Sequence, residues 1–300
     1  MIPPTRPRRY GRRRMAILFA LLSALAYAGA SVLQQRVARE VPEEHALRLG
    51  LLWRLIRRPM WLAGTAADWL GFGFQAAALG LGTLLLVQPL LCTGLLFALP
   101  LAATWAGRRL SRNDWFAAFA LVVGLAVFLL IGEPSDGKDF ASTRSWLVAA
   151  AVLGPIIAGC AIAAMRTRNT ARAVLLAIAT AVLYSLTAVL TKSAVVELGQ
   201  GVDVFFTSWE PYVGAAAAIL GLVLNQTAFQ AGELEASLPI LTAVEPVIAS
   251  ILGVTMLGEL IQASGALEWS LVAASVTVMV GSIVALARAA ARVETALATT

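Results

Sequence analysis

Two acids stand where acids are costly. Of the 40 charged side chains in the chain, only Asp68 and Glu245 fall inside its long apolar runs. Each lies near the middle of its run, where an ionised carboxylate costs about 2.5–3.5 kcal/mol on insertion scales. A polar cavity, a partner, a cation or protonation must offset that cost. Such groups serve by default as substrate, cation or proton sites; the structural alternative is a neutral acid hydrogen-bonded to the next helix. Asp68 shares a helical face with Gly64, Gly71 and Gln75. Glu245 precedes Pro246, and Pro239 interrupts the same run earlier, while Gln88-Pro89 is the counterpart in the first half of the chain. Proline removes a backbone donor, and the carbonyl it frees is tolerated in a bilayer only where it faces protein or water. Paired proline breaks at corresponding positions point to a substrate site, or else to plain packing kinks.

Further polar residues are second-rank candidates. Asn225 closes a stripe with Gly214, Ala218 and Gly221 that reads first as a helix–helix contact. Gln226 and Gln230, one turn apart, can bind a substrate or tie helices together, and Tyr27 and Tyr184 share that ambiguity. Lys192, at the end of a run, is expected to snorkel to the interface. His45, beside Glu43 and Glu44, is not expected to act in catalysis or metal binding.

The elements that hold these residues follow from composition. Across 300 residues, 59% are hydrophobic and only 13% charged, with a mean hydropathy of +0.81. A water-soluble chain of this length could not cover its surface with so little charge. An all-α, polytopic membrane protein is expected, and soluble α/β enzymes, disordered chains and secreted disulfide scaffolds are excluded. The net charge of +6 comes from short basic clusters between apolar runs, which suit anionic lipid and cytoplasm rather than nucleic acid. Cys92, Cys160 and a single His build neither a disulfide framework nor a metal cage. Nucleotide-binding, esterase, zinc-protease and Cys-x-x-Cys motifs are absent, so neither an enzyme nor a cofactor is expected.

Nine runs can cross a bilayer as helices: 15–33, 60–80, 83–105, 115–131, 146–165, 173–191, 211–231, 236–257 and 269–287. At 1.5 Å per residue each reaches roughly 25–35 Å, against a hydrocarbon core of about 30 Å. Residues 44–56 form a shorter amphipathic stretch, expected to lie on the membrane; if it crosses, there are ten spans. The basic run before the first span, with Ala28-Gly29-Ala30 inside it, could also be a signal peptide, but eight further spans favour a plain first helix. Basic residues favour an outside N-terminus for nine spans, with 14 inside and 9 outside, six of these in the tail before Met15, itself a candidate start. Ten spans would put the N-terminus inside. Either way the C-terminus is cytoplasmic.

ALAYAGASVL (24–33) recurs as AVLYSLTAVL (181–190), FQAA around Gln75 as NQTA around Gln226, and VQPL (87–90) as VEPV (244–247), all in the same order. This divides the chain into a basic tail (1–14), a first repeat (15–131), a linker (132–172) with helix 146–165, a second repeat (173–288) and a C-terminal tail (289–300). With an odd number of intervening helices the second copy is inverted.

These residues resemble the drug/metabolite transporter superfamily, of the EamA-like kind, from Met15 to about Arg288. The matching pieces are WLAGTAADWLGFGFQAAALGLGTLLLVQPLL, the RRLSRNDW loop and NQTAFQAGELEASLPILTAVEPVIASILGVTMLGE. Four spans, a linker span and four more are similar to the NIPA-type magnesium transporters, as are Trp61-Leu62-Ala63-Gly64 and Lys192. The chain departs from that pattern at Phe72, where an acid stands in the NIPA-like chains; here the acid is Asp68, one turn earlier.

The expected protein is therefore a secondary transporter of the cell membrane. Two inverted halves would rock about a midplane site of Asp68, Gln75, Gln88, Asn225, Gln226, Gln230 and Glu245, moving a small metabolite or drug-like molecule. Glu245 is the candidate proton carrier, since surroundings poor in water favour the neutral form of a carboxyl group. The second reading is a divalent-cation transporter with Asp68 and Glu245 as ligands of Mg²⁺, and the third a membrane-embedded lipid-processing enzyme or scaffold. The expected partners are the bilayer and the substrate, with a homo-oligomer left open.

Overall fold

The computed structural model describes residues 6–39, 59–105, 107, 109–135, 137–231 and 234–298. The amphipathic stretch 44–56 lies outside the described residues, as do the side chains of Gln226 and Gln230. The described chain is helical: α1 (Arg6–Arg39), α2 (Pro59–Leu81), α3 (Leu84–Leu91), α4 (Gly94–Trp105), α5 (Arg112–Ile131), α6 (Thr143–Arg166), α7 (Asn169–Gln200), α8 (Val202–Thr207), α9 (Glu210–Ala231), α10 (Leu234–Leu257) and α11 (Ala266–Ala298). No strand occurs among the described residues; one isolated antiparallel bridge joins Ser135 and Leu260.

Seven of the described helical stretches are long and apolar enough to cross a membrane, α3 and α4 counting together as one. This indicates a multi-pass membrane protein. Of the nine expected runs, 60–80 and 211–231 are not among those seven. Both are nonetheless helical, within α2 and α9. The peripheral helix α6 turns apolar side chains outward, Leu147 at 67% exposure and Met165 at 83%, a surface suited to lipid. By contrast α7 is buried along much of its length, and it packs against α2, α6, α9 and α10.

Local chemistry sets the helix ends. Pro59 opens α2, where its missing N–H costs nothing. Ser111 and Asp114 form a reciprocal capping box at the start of α5. Ser142 accepts from the Ser145 amide to start α6, and Thr83 accepts from the Leu86 amide to start α3. Gly258, at φ +66°, ends α10 in the left-handed conformation that glycine adopts without steric cost. The Glu259 amide then donates back to the Gly253 carbonyl at 3.0 Å.

The prolines do not break their helices. Pro89 lies inside α3, and the run expected over 83–105 is interrupted only after that helix has ended, at Cys92–Thr93, where the Thr93 hydroxyl donates to the Leu90 carbonyl at 2.6 Å. Pro239 and Pro246, expected to break the later run, do not: α10 stays continuous through both. Side chains supply nearby hydrogen bonds. The Thr242 hydroxyl bonds to the Leu238 carbonyl at 2.8 Å, and the Ser185 hydroxyl of α7 lies 2.8 Å from the Glu245 carbonyl.

Helices α1 and α2 are antiparallel: Ala16 meets Gly82, and Tyr27 meets Gly71. At the end of the bundle that holds Gly82, two connections are stitched together. Ser135 N–H donates to Leu260 O, Lys138 N–H to Leu257 O and Gln262 N–H to Gly132 O, at 2.9, 2.6 and 2.8 Å. At the same end the Arg13 guanidinium donates to the Leu129 carbonyl at 2.7 Å, a cation on the last turn of α5, where the helix dipole favours it. At the opposite end Arg292 stands 3.7 Å from Asp114.

Candidate functional site

One small constellation occurs twice. In the first half, the Tyr27 ring lies against Gly71, where an added Cβ would sit 2.9 Å from the ring, and its hydroxyl donates to Gln75 Oε1 at 2.8 Å. In the second half, Tyr184 lies against Gly221, where a Cβ would sit 2.6 Å away, and the Asn225 side chain stands near its hydroxyl. Both glycines are required by the close approach of the ring. In each case the amide stands four residues after the glycine, so it projects from the same helix face one turn on. The structural counterpart of Gln75 is thus Asn225, one position before the Gln226 that the sequence pairing suggests.

Between the two constellations lies a cavity of about 690 Å³, within the range of small-molecule sites. Tyr27, Gln75, Gln88, Tyr184, Thr187, Thr191, Thr242 and Glu245 supply its polar wall. Glu245 is the only charged residue among the described lining residues. The lining extends through Ser31, Ala98 and Leu238, away from the Gly82 end. Gln88 is 2% exposed, and its Nε2 has no hydrogen-bond partner among the described residues. A buried amide of this kind costs free energy until something accepts from it. The hydroxyls of Thr187 and Thr242 donate to carbonyls of their own helices, so toward the cavity they offer lone pairs.

The expected residues divide accordingly. Gln75, Gln88 and Glu245 line the cavity together, and Pro246 lines it beside them. Asn225 joins through Tyr184, with its Oδ1 buried and unpartnered among the described residues. Asp68, half-buried on α2, is not among the lining residues; it lies within Coulomb reach of both tyrosines. Among the described residues no three of His, Cys, Asp or Glu come together as a metal set. Thr187 and Thr191 were legible in principle: with Tyr184 they follow at three and seven residues, one face of a helix.

A second polar cluster was not foreseen. Lys192 does not snorkel. It is buried, its Nζ 2.7 Å from Glu259 Oε1, with side-chain exposures of 7% and 0%. The same carboxylate accepts from the Leu84 amide at 2.8 Å and the Leu85 amide at 3.0 Å. Glu259 thus satisfies two amides at the positive end of α3 and draws the lysine inward. Together with α3, of which Leu84 through Leu90 are buried, the cluster fills the Gly82 end of the bundle.

No family model matches the chain, and no solved structure matches it. An uncharacterized protein of Corynebacterium glutamicum is 36% identical over 275 residues, which cover 91% of this chain and 95% of that protein.

Proposed function

We propose that this chain, which belongs to the family of that Corynebacterium glutamicum protein, is a secondary transporter of the EamA-like drug/metabolite kind, moving a small organic molecule by alternating access. The observation that carries the reading is the cavity between two copies of the tyrosine–glycine–amide constellation. Repeat-related helices with a polar site between them are the common plan of secondary transporters. The antiparallel pairing of α1 and α2 supports the nine-span arrangement in which 44–56 does not cross. In that arrangement the distribution of basic residues favours a cytoplasmic C-terminus and an outer Gly82 end. Arg13 is employed there as a cap on α5, which explains one of the basic residues on the outer side.

In this reading the cavity is reached from the cytoplasm and closed outward by α3 and the Lys192–Glu259 cluster. Glu245 carries the coupling proton and Gln88 donates to the bound substrate. Proteoliposomes holding the protein, given a pH gradient and a bacterial small-molecule extract, are expected to accumulate one or a few organic compounds, with the Glu245→Gln variant failing to do so. Mg²⁺ flux that disappears in an Asp68→Asn/Glu245→Gln double variant would replace this reading with the divalent-cation one. Folded protein that moves neither would overturn both.

A further inference from the structure

Two acids meet where α9 returns beside the end of α7, past the 173–191 run. Gly221 lies against Leu183 and Tyr184, and Gly214 against Leu190. The two helices are therefore antiparallel, and Glu210 comes back to the level of Glu197. Val195 touches Gly80 of α2, which sets this junction at the Gly82 end of the bundle. Glu197 is 3% exposed, and its Oε2 is buried with no hydrogen-bond partner among the described residues. The side chains of Glu210 and Ser208 stand beside its carboxyl group. The Ser208 hydroxyl donates to the Val204 carbonyl at 2.8 Å, and Glu210 is half-buried. Among the described residues neither acid forms an ion pair.

No other charge at the junction answers them. Of the elements packed against α7, namely α2, α6, α8, α9 and α10, α2 carries no charge over 76–81 and α10 none over 246–257. Near this level α6 contributes Arg144 and α8 contributes Asp203, both exposed, while Lys192 of α7 is held by Glu259. Two carboxyl groups kept together away from water cannot both ionise cheaply, so the pair retains one proton. That proton makes one oxygen a donor and removes one of two like charges. The start of α9 favours charge on Glu210, which leaves the proton on Glu197. We propose that Glu197 and Glu210 form a site for one exchangeable proton, and that this proton latches α9 to α7 at the Gly82 end. The site is distinct from Glu245, which lines the cavity, and does not depend on the transport reading. When the proton leaves, two like charges face each other. The neighbouring edge-on contact of Trp209 with Trp146, centroids 5.2 Å apart, then has to hold the connection against their repulsion. The closed junction binds the proton more tightly than an opened, hydrated one, so closure is complete at low pH and is lost as pH rises through the titration of the pair.

The test titrates the full chain in lipid nanodiscs with pH. Infrared difference spectra follow the protonated carboxyl group, and hydrogen–deuterium exchange over 198–212, corrected for the intrinsic effect of pH, follows the latch. The wild-type protein is expected to lose one carboxyl signal as pH rises. Across the same step, exchange over 198–212 should quicken by about tenfold, the factor that one pKa unit of linkage supplies. Glu197→Gln and Glu210→Gln should each remove that same infrared step, because it belongs to the pair, and the double variant should exchange slowly at every pH. A step that survives in either single variant would overturn the shared site. Exchange that quickens as much in the double variant would overturn the latch. Should a glutamine variant fail to fold, the wild-type protein still decides: exchange over 198–212 that is equal at low and high pH would overturn the latch by itself.

Discussion

The Lys192–Glu259 pair allows a prediction with a worked magnitude. The carboxylate accepts three charge-assisted hydrogen bonds, from Lys192, Leu84 and Leu85, at 2.7, 2.8 and 3.0 Å. Removing one partner of a buried ion pair costs about 3–5 kcal/mol, because the other charge is left in a poor environment. Lys192→Met should fall near 3 kcal/mol, since two amides and the end of α3 still stabilise the carboxylate. Glu259→Gln should approach 5 kcal/mol: the lysine loses its counter-charge, and an amide nitrogen replaces one acceptor among donors. In the double variant no buried charge remains, so the two losses should fail to add by about 2 kcal/mol or more. Equilibrium unfolding in mixed micelles, followed by helicity and tryptophan fluorescence, measures all three. Lys192→Met within about 0.5 kcal/mol of wild type is what a lysine reaching the interface would give, and that result would refute the buried pair.

The remaining predictions concern the cavity and the caps. Gln88→Leu removes a buried amide group with an unpartnered nitrogen, so stability should hold or rise by about 1 kcal/mol while transport is lost; a large fall in stability would show that the amide is structural. Gly71→Ala and Gly221→Ala each drive a methyl into a tyrosine ring, at 2.9 and 2.6 Å, and should cost about 1–3 kcal/mol with weakened transport, to be read by thermal unfolding and uptake. Glu245→Gln should leave the fold intact and uncouple uptake from a pH gradient, and full coupling in that variant would remove the residue from its role. Ser111→Ala should cost about 1 kcal/mol through loss of the α5 capping box, without changing substrate preference.

Apolar run length made most spans legible, because every lipid-buried helix must satisfy its own backbone. The tyrosine repeat was legible too, since Tyr27 and Tyr184 mark both copies. Its register was not. Gln75 pairs in structure with Asn225, and adjacent Asn and Gln offer a one-residue slip that only the position of the glycine resolves. The lysine pair escaped for a different reason: Lys192 and Glu259 lie 67 residues apart in the chain, each at a run's end, where local sequence favours solvent. Proline misled in both spans: the helix runs on through Pro89 to Leu91, as it does through Pro239 and Pro246. Its local cost is the same at each, but the surroundings decide whether a helix bends or breaks, and those come from distant residues such as Ser185.

The stitched connections at the Gly82 end bear on how such a molecule could move. Backbone hydrogen bonds join the segment after α5 to the segment between α10 and α11, and α5 also packs along α11. Helices from the two halves of the chain are thereby bound into one frame. The pairs α1–α2 and α7–α9 each close on themselves through a tyrosine seated on a glycine. The sliding boundaries would then run between frame and arms rather than between the two repeats. A chain cut within 132–142 should stay assembled, its fragments pinned across that frame, whereas severing α7 would free an arm.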